Sequence, residues 1–372
     1  VRAPFSPPPY PYERLDALRS VAESIPGGIV DCSIGTPCDP PPQLVVDALA
    51  TSGLERGYPT SAGSIGLRTA AADWLARRFE VRVQPGSLAV CVGTKELVAS
   101  SAHFLSLRQP DRSVVLYPDV SYPTYAMGAT LAGLEPVPVP TEDGRLLLEE
   151  IDDETARRAL LLWSNSPSNP TGGLDDLGRV AAWGRERGVL VLSDECYAEF
   201  TWADRPRSIL EHGSEGVLAV HSLSKRSNLA GIRVGFYAGD EAVVSYLASV
   251  RQHSGLMVPG PIQVAATLAF EDDEHVMVQR ARYEERLALV AAGLVAAGIP
   301  AEVPAGGFYL WVRVPDDLVD GWALAEMLAE RAGMLVSPGD LYGPAGASHV
   351  RIAVVQPSDR LALAMERLSA SG

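Results

Sequence analysis

Between residues 88 and 221 the chain repeats one unit: a short apolar run, a turn rich in Gly, Ser, Pro or Asp, then a stretch of helical length. The runs fall at 88–92, 113–117, 160–163, 189–193 and 216–221. Runs that are apolar on both faces and alternate with helix-length segments predict strands buried between helix layers. The expected fold class is therefore α/β with a mainly parallel central sheet. In such sheets ligands bind just beyond the carboxyl ends of the strands. The turns carrying Gly93-Thr94-Lys95, Tyr122, Asn169, Asp194-Glu195-Cys196-Tyr197 and Ser222-Leu223-Ser224-Lys225 are thus placed along one rim.

At 372 residues the chain has room for one large domain and a smaller companion. An apolar fraction of 47% with 21% charged residues is that of a folded globular protein, so the runs can be buried as a core. A formal charge of −15 argues against a nucleic-acid or anionic-membrane surface. No apolar run reaches the length of a membrane span, and Val1-Arg2-Ala3-Pro4-Phe5 lacks the core of a signal peptide. Cys32, Cys38, Cys91 and Cys196 show no CxxC spacing and read as reduced thiols of a cytoplasmic protein. The six histidines show no ligand-like clustering, so no metal is expected.

Of the 31 basic residues only Lys95 and Lys225 are lysine. A lysine retained in so arginine-rich a chain marks a place where arginine cannot substitute. Arg stays protonated, whereas a buried Lys lowers its pKa and becomes a nucleophilic amine that adds to carbonyls. A stray surface lysine is the bland alternative. The surroundings of Lys225 argue against it: Ser222, Ser224 and Arg233 are the hydroxyls and guanidinium that a phosphate requires.

The stretch 222–235 reads Ser-x-Ser-Lys, five residues, then Gly-x-Arg-x-Gly. It resembles the signature of the fold-type I pyridoxal-phosphate enzymes, in particular the class I and II aminotransferases. The resemblance implies pyridoxal 5'-phosphate carried on Lys225, with Ser222, Ser224 and Arg233 on its phosphate. Asn165-Ser166-Pro167-Ser168-Asn169-Pro170-Thr171-Gly172 is similar to another family segment, in which the second Asn, here Asn169, donates to the phenolic oxygen of the cofactor. Tyr197 would donate to the same oxygen, and Asp194 would keep the ring nitrogen protonated. Tyr122 matches the residue stacked on the ring. The Gly93-Thr94-Lys95 turn would cradle the phosphate at a helix start; Lys95 either adds charge there or caps the loop. Tyr58, in Tyr58-Pro59-Thr60-Ser61-Ala62-Gly63, matches a Tyr that reaches the neighbouring subunit's cofactor, which implies a homodimer with shared active sites. Taken singly, Tyr58 and Tyr122 also read as packed loop tyrosines, and Asp194 as a helix cap.

Gly35, in Gly35-Thr36-Pro37, matches a turn that the substrate carboxylate approaches, and Arg351, in Val350-Arg351-Ile352, matches the arginine that grips that carboxylate. Helices are expected near 42–50, 97–107, 241–252, 261–270 and 275–297, the last as a bridge between domains. Beyond it, β segments at 308–314 and 349–355 with helices at 321–332 and 358–369 make a small α+β domain. The expected division is 41–274 as the large cofactor-binding domain and 1–40 with 275–372 as the small domain. Pro4, Pro7, Pro8, Pro9 and Pro11 make the N-terminus an arm that crosses to a neighbour or simply frays.

Gly93–Val98, Ser193–Glu199, His221–Gly231 and Gly255–Pro259 are similar to actinobacterial N-succinyldiaminopimelate aminotransferases, and Arg226-Ser227-Asn228 departs from the commoner pattern toward that subgroup. The implied reaction exchanges an amino group between N-succinyl-L,L-diaminopimelate and 2-oxoglutarate in lysine synthesis, with Asn169, Gly35 and Arg351 at the substrate. Rival readings are an aspartate or other amino-acid aminotransferase, or a β-lyase of the same fold. The fold's use as a regulator module would need a DNA-binding segment. A nicotinamide enzyme would need a glycine fingerprint that is absent.

Overall fold

The computed structural model describes residues 5–370; Pro4, one of the arm prolines, lies outside the described residues. From the amino end, α1 (Asp16–Ser24) leads to β1 (Val30–Asp31), α2 (Gln43–Thr51) and α3 (Ile65–Phe79). Strand β2 (Leu88–Cys91), α4 (Thr94–Arg108), β3 (Val114–Pro118), α5 (Thr124–Leu131) and β4 (Glu135–Val139) follow, then a small ribbon, β5 (Thr141–Glu142) and β6 (Arg145–Leu146). The alternation continues through α6 (Asp153–Arg158), β7 (Ala159–Asn165), α7 (Leu177–Arg187), β8 (Leu190–Asp194), β9 (Val217–Ser222), α8 (Leu223–Arg226) and β10 (Gly235–Gly239). Three helices, α9 (Glu241–His253), α10 (Gly260–Glu271) and α11 (Glu274–Ala296), precede β11 (Tyr309–Arg313), α12 (Gly321–Ala332), β12 (Met334–Leu335), β13 (Ser337–Pro338), β14 (His349–Ala353) and α13 (Ser358–Ala370).

Among the described residues the main sheet has seven strands in the order β2-β10-β9-β8-β7-β3-β4. The ladders β9-β8-β7-β3-β4 are parallel, while β10 runs antiparallel to both β9 and β2. Every residue of β7, β9 and β10 is buried, because helices cover both faces and leave no solvent side on which alternation could appear.

Two strands differ from the sequence reading, which ran from Val234 straight into helices and placed none at 135–139. Residues 235–239 are strand because the chain leaves the Lys225 turn and returns beside β9, pairing Gly235 with Ser222. An antiparallel return needs no crossover helix, so the repeat that marked the other strands is missing here. Its consequence is functional: β10 begins at the rim where its neighbours end, which brings Arg233 to that rim. Edge strand β4 is half exposed and carries Pro136 and Pro138, so it lacks the apolar signal of its neighbours.

The C-terminal part forms a three-stranded antiparallel sheet, β11-β14-β13, and β12 pairs in parallel with β1. A separate apolar core joins Leu15, Leu18 and Val30 to Leu287, Leu294, Leu310, Leu328, Ile352 and Leu361. The amino-terminal segment thus packs with the carboxyl-terminal one, leaving residues 32–42 to pass across the rim of the main sheet.

One buried ion pair fixes the start of α4. Arg251, with a fully buried side chain, donates through both Nη atoms to Glu96 at 2.7 and 2.5 Å. Glu96 also accepts from the backbone N–H of Val92 at 3.3 Å, so the pair pins the 92–96 turn to α9. Glu96→Gln would leave a buried guanidinium without its carboxylate, a loss of about 3–5 kcal/mol. A clear fall in unfolding temperature of the full chain is the expected result.

Candidate active site

The rim turns close around a cavity of ≈ 360 Å³. Gly35, Thr94, Lys95, Tyr122, Asn169, Asp194, Tyr197, Ser222, Ser224, Lys225, Arg233 and Arg351 line it, so the fold collects these sequence candidates in one place. Gly93 stands at the cavity wall against Arg233. Tyr58 does not line the cavity; it is 98% exposed.

One end of the cavity is built for an anion. Helix α4 begins at Thr94 with Gly93 at its cap position, so unpaired N–H groups and the positive helix end face this rim. The helix starts three residues earlier than the sequence reading, which began it at Leu97, and Lys95 accordingly lies in its first turn. Gly93 has φ +76°, and a Cβ there would lie 2.3 Å from Arg233 Nη2. Arg233 also has a left-handed backbone and donates to Ala230 O at 2.9 Å. Ser222 caps the four-residue α8, its Oγ accepting from the Ser224 N–H at 3.0 Å. Lys95 Nζ donates to Tyr10 Oη at 3.1 Å and lies 4.8 Å over that ring.

Lys225, on α8, brings a buried amine to the cavity. Its Nζ donates to Gly35 O. Burial, reinforced by the nearby Arg351 guanidinium, lowers its pKa from the ordinary 10.5 to about 8. Asp194, the last residue of β8, is buried, and burial raises its carboxyl pKa against the opposing hydrogen bonds of Cys196 and Tyr125. Both donors are neutral: Tyr125 Oη at 2.8 Å and the Cys196 N–H at 3.2 Å. A buried carboxylate held in this way is suited to a cationic partner in the cavity. Tyr122 meets Tyr125 edge-on, with ring centroids 5.8 Å apart.

The opposite wall comes from β11, β14 and the segment after β1. Arg351 is buried between the rings of Tyr309 and Tyr342, at 4.2 and 4.7 Å. It donates to Asn169 Oδ1 at 2.8 Å and to Ser33 O at 2.6 Å. The first bond uses the Asn169 amide oxygen and leaves its NH2 group as donor. Tyr197 and Tyr309 share a hydroxyl–hydroxyl hydrogen bond of 2.7 Å. A Cβ on Gly35 would lie 2.0 Å from Tyr309 Oη, so only glycine allows this approach.

Sequence reasoning missed Tyr125, Tyr309 and Tyr342. Tyr125 was within reach, since it follows Tyr122 by three residues at a Pro-marked helix start. Tyr309 and Tyr342 had no local signal; they meet Arg351 only through packing of the small sheet.

The donor set fits pyridoxal phosphate: an anion cradle at Gly93, Ser222, Ser224 and Arg233, a free amine at Lys225, and a buried carboxylate at Asp194 for a protonated ring nitrogen. Two substitutions probe this fit. Gly93→Ala drives a methyl into Arg233 in a left-handed backbone, an overpacking cost of about 1–3 kcal/mol; pyridoxal-phosphate affinity measured by titration should fall roughly tenfold or more. Tyr125→Phe removes one donor from Asp194, so that carboxyl rises further in pKa. The acid limb of kcat should move to higher pH and kcat should fall about tenfold, in line with the roughly 1.5 kcal/mol of a hydrogen bond to a charged group.

Comparison with known proteins agrees with this geometry. The family model for aminotransferase class I and II matches residues 28–368. A probable aminotransferase of Mycobacterium tuberculosis is 42% identical over 97% of this chain and 85% of its own length. The 4-dedimethylamino-4-oxo-anhydrotetracycline transaminase of Streptomyces rimosus is 40% identical, over 97% of this chain and 99% of its own. An LL-diaminopimelate aminotransferase of Aquifex aeolicus is 34% identical over 97% and 96%. Among solved structures, a probable N-succinyldiaminopimelate aminotransferase from Thermus thermophilus superposes with a TM-score of 0.86 at 29% identity, covering 97% of this chain and 100% of that one. With the fold, the donor set and relatives matched over nearly the whole length, the chain belongs to the class I and II aminotransferases, a family of pyridoxal-phosphate-dependent enzymes.

Proposed function

We propose that this aminotransferase exchanges an amino group between N-succinyl-L,L-diaminopimelate and 2-oxoglutarate, a step toward diaminopimelate and lysine. The observation that carries an amino-acid substrate is Arg351, a buried guanidinium clamped between two tyrosines at the cavity wall, ready to take a carboxylate by two parallel hydrogen bonds. The diaminopimelate side of the reading is supported by the likeness to the LL-diaminopimelate aminotransferase of Aquifex aeolicus and to the probable N-succinyldiaminopimelate aminotransferase of Thermus thermophilus.

In this reading Arg351 binds the α-carboxylate and orients the Cα–H bond, and Lys225 takes and returns the Cα proton. When bound, pyridoxal phosphate supplies an aldehyde for the amino group and an electron-poor ring that stabilises negative charge at Cα. Asp194 would hold positive charge at the ring nitrogen. Asn169 and Tyr197 would donate to the phenolic oxygen, Tyr122 would take the ring, and Gly93, Thr94, Ser222, Ser224 and Arg233 would hold the phosphate. An amine near pKa 8 has a substantial neutral fraction close to neutral pH, as a base at Cα requires.

The same proposal makes the enzyme a cytoplasmic homodimer. Its four cysteines are unpaired, and the 98% exposure of Tyr58 frees it to enter a neighbour's site. It also divides the chain into 41–274 and the combined segments 1–40 and 275–372, a division supported by the separate apolar core of the latter. A second reading, a polycyclic ketone as amino acceptor, is favoured by the 40% identity to the Streptomyces rimosus transaminase.

Half-reactions with the purified holoenzyme decide among these. Glutamate, N-succinyl-L,L-diaminopimelate, LL-diaminopimelate and aspartate are added separately, and the absorbance of the bound cofactor is followed. Rapid conversion by glutamate and the succinylated substrate is expected. Conversion by other amino acids alone would discard the pathway and keep the enzyme class. Lys225→Ala should retain the fold by circular dichroism and lose turnover by several orders of magnitude, roughly the scale of general-base catalysis or more.

A further inference from the structure

The three residues after Lys225, Arg226-Ser227-Asn228, are each tied to the junction of α10 and α11. Arg226 is buried and donates to Asp272 O at 3.2 Å and to Asp273 Oδ1 at 3.0 Å. Ser227 Oγ lies 2.9 Å from His275 Nε2. Asn228, with φ +55°, donates to Gln279 Oε1 at 3.1 Å. The turn that carries the reactive lysine is therefore anchored to the first two turns of one long helix.

That helix also holds the segment lying across the site. Gln279 Nε2 donates to Asp39 Oδ2 at 2.9 Å. Arg286, seven residues on and on the same helix face, grips the same carboxylate with both Nη atoms at 2.6 and 2.8 Å. Asp39 belongs to the strap of residues 33–42 between β1 and α2. Pro37, Pro40, Pro41 and Pro42 remove four amide donors from this strap, so it depends on side chains and carbonyls to be held. Two of its carbonyls reach the cavity: Gly35 O accepts from Lys225 Nζ, and Ser33 O accepts from Arg351 Nη2.

We propose that Asp39, Gln279 and Arg286 are positioning residues that latch the strap over the cavity and so set the acceptors of Lys225 and Arg351. Gln279 is the central link, because its amide joins the Lys225 turn on one side to the strap on the other. Release of the latch opens the cavity to water. The Lys225 ammonium then regains hydration and its labelling midpoint rises, while Arg351 loses its aim. The titratable groups facing Lys225 are the Arg351 and Arg233 guanidinium groups, which favour the neutral amine, and the Asp194 carboxyl and the Cys196 thiol, which would oppose them if ionised; burial holds the Cys196 thiol neutral. Replacing neutral Gln279 changes none of these charges, so a shift at Lys225 reports the strap. The inference rests on the roles proposed for Lys225 and Arg351, but the labelling experiment needs no substrate and separates failure of the latch from failure of those roles.

The test is trace acetylation of the full-length protein, freed of cofactor, as a function of pH, with labelling read at Lys225 and Lys95 by mass spectrometry. The chain has only these two lysines, and Lys95 serves as the internal reference. Gln279→Met, close in size and without hydrogen-bonding groups, should move the Lys225 midpoint to higher pH and leave the Lys95 profile in place. In the holoenzyme, KM for the amino donor should rise about tenfold, the weight of one well-placed hydrogen bond, with a smaller change in kcat. Asp39→Asn should act in the same direction and more strongly; should it fail to fold, Gln279→Met alone decides. A lower melting temperature with unchanged Lys225 labelling and KM would reduce the network to a structural tie and overturn the proposal. Altered kinetics with an unchanged Lys225 profile would overturn it as well.

Discussion

Holding the Lys225 amine out of water, in a cavity that also contains the Arg351 guanidinium, is the constraint on which the rest of this structure depends. Burial, and then repulsion from Arg351, lower the Lys225 pKa to about 8, while the guanidinium stays charged despite its burial because its intrinsic pKa is so high. The arrangement needs acceptors that carry no negative charge of their own. Strap carbonyls from Ser33 and Gly35 supply them, and the Tyr309 and Tyr342 rings give Arg351 polarizable faces without neutralising it. A carboxylate entering the cavity then finds an arginine whose charge has not been spent within the protein.

Apart from Asp194 in the cavity itself, three carboxylates lie one layer out, each paired with a buried arginine. Glu96 with Arg251 pins the anion cradle, Glu199 with Arg226 and Arg78 anchors the lysine turn, and Asp39 with Arg286 anchors the strap. A buried ion pair adds little net stability over a well-packed apolar pair. Its geometry is directional, however, and these three pairs attach the site's loops to helices α9, α3 with the 269–273 segment, and α11. The arginine-rich composition suits this task, because a planar fork holds a carboxylate in one orientation where an ammonium would not.

Most of the sheet was legible because parallel strands buried on both faces are written as continuous apolar runs, as in Leu160-Leu161-Leu162-Trp163. Strand β10 escaped because Gly235-Phe236-Tyr237-Ala238-Gly239 returns antiparallel beside β9, outside the strand–helix repeat. The start of α4 was read three residues late because Thr94, Lys95 and Glu96 are polar and give no apolar period; Gly93 with positive φ is the structural start signal. Among the cavity residues, those on rim turns were found from motif spacing. Tyr309 and Tyr342 were not, since each acts on Arg351 from another element.

By itself the sequence determined the chemistry that could be offered: two lysines among 31 basic residues, one of them between serines and an arginine, and prolines that strip the strap of amide donors. It also determined the α/β class, because buried parallel strands leave their mark in local composition. Which groups meet was decided only by the tertiary structure. Tyr125 reaches Asp194 across 69 residues, Arg351 reaches Asn169 across 182, and Arg286 reaches Asp39 across 247. No local preference encodes such pairs. They form because hydrophobic burial fixes the order of the strands and the path of α11, and the polar side chains left inside must then find partners within that frame.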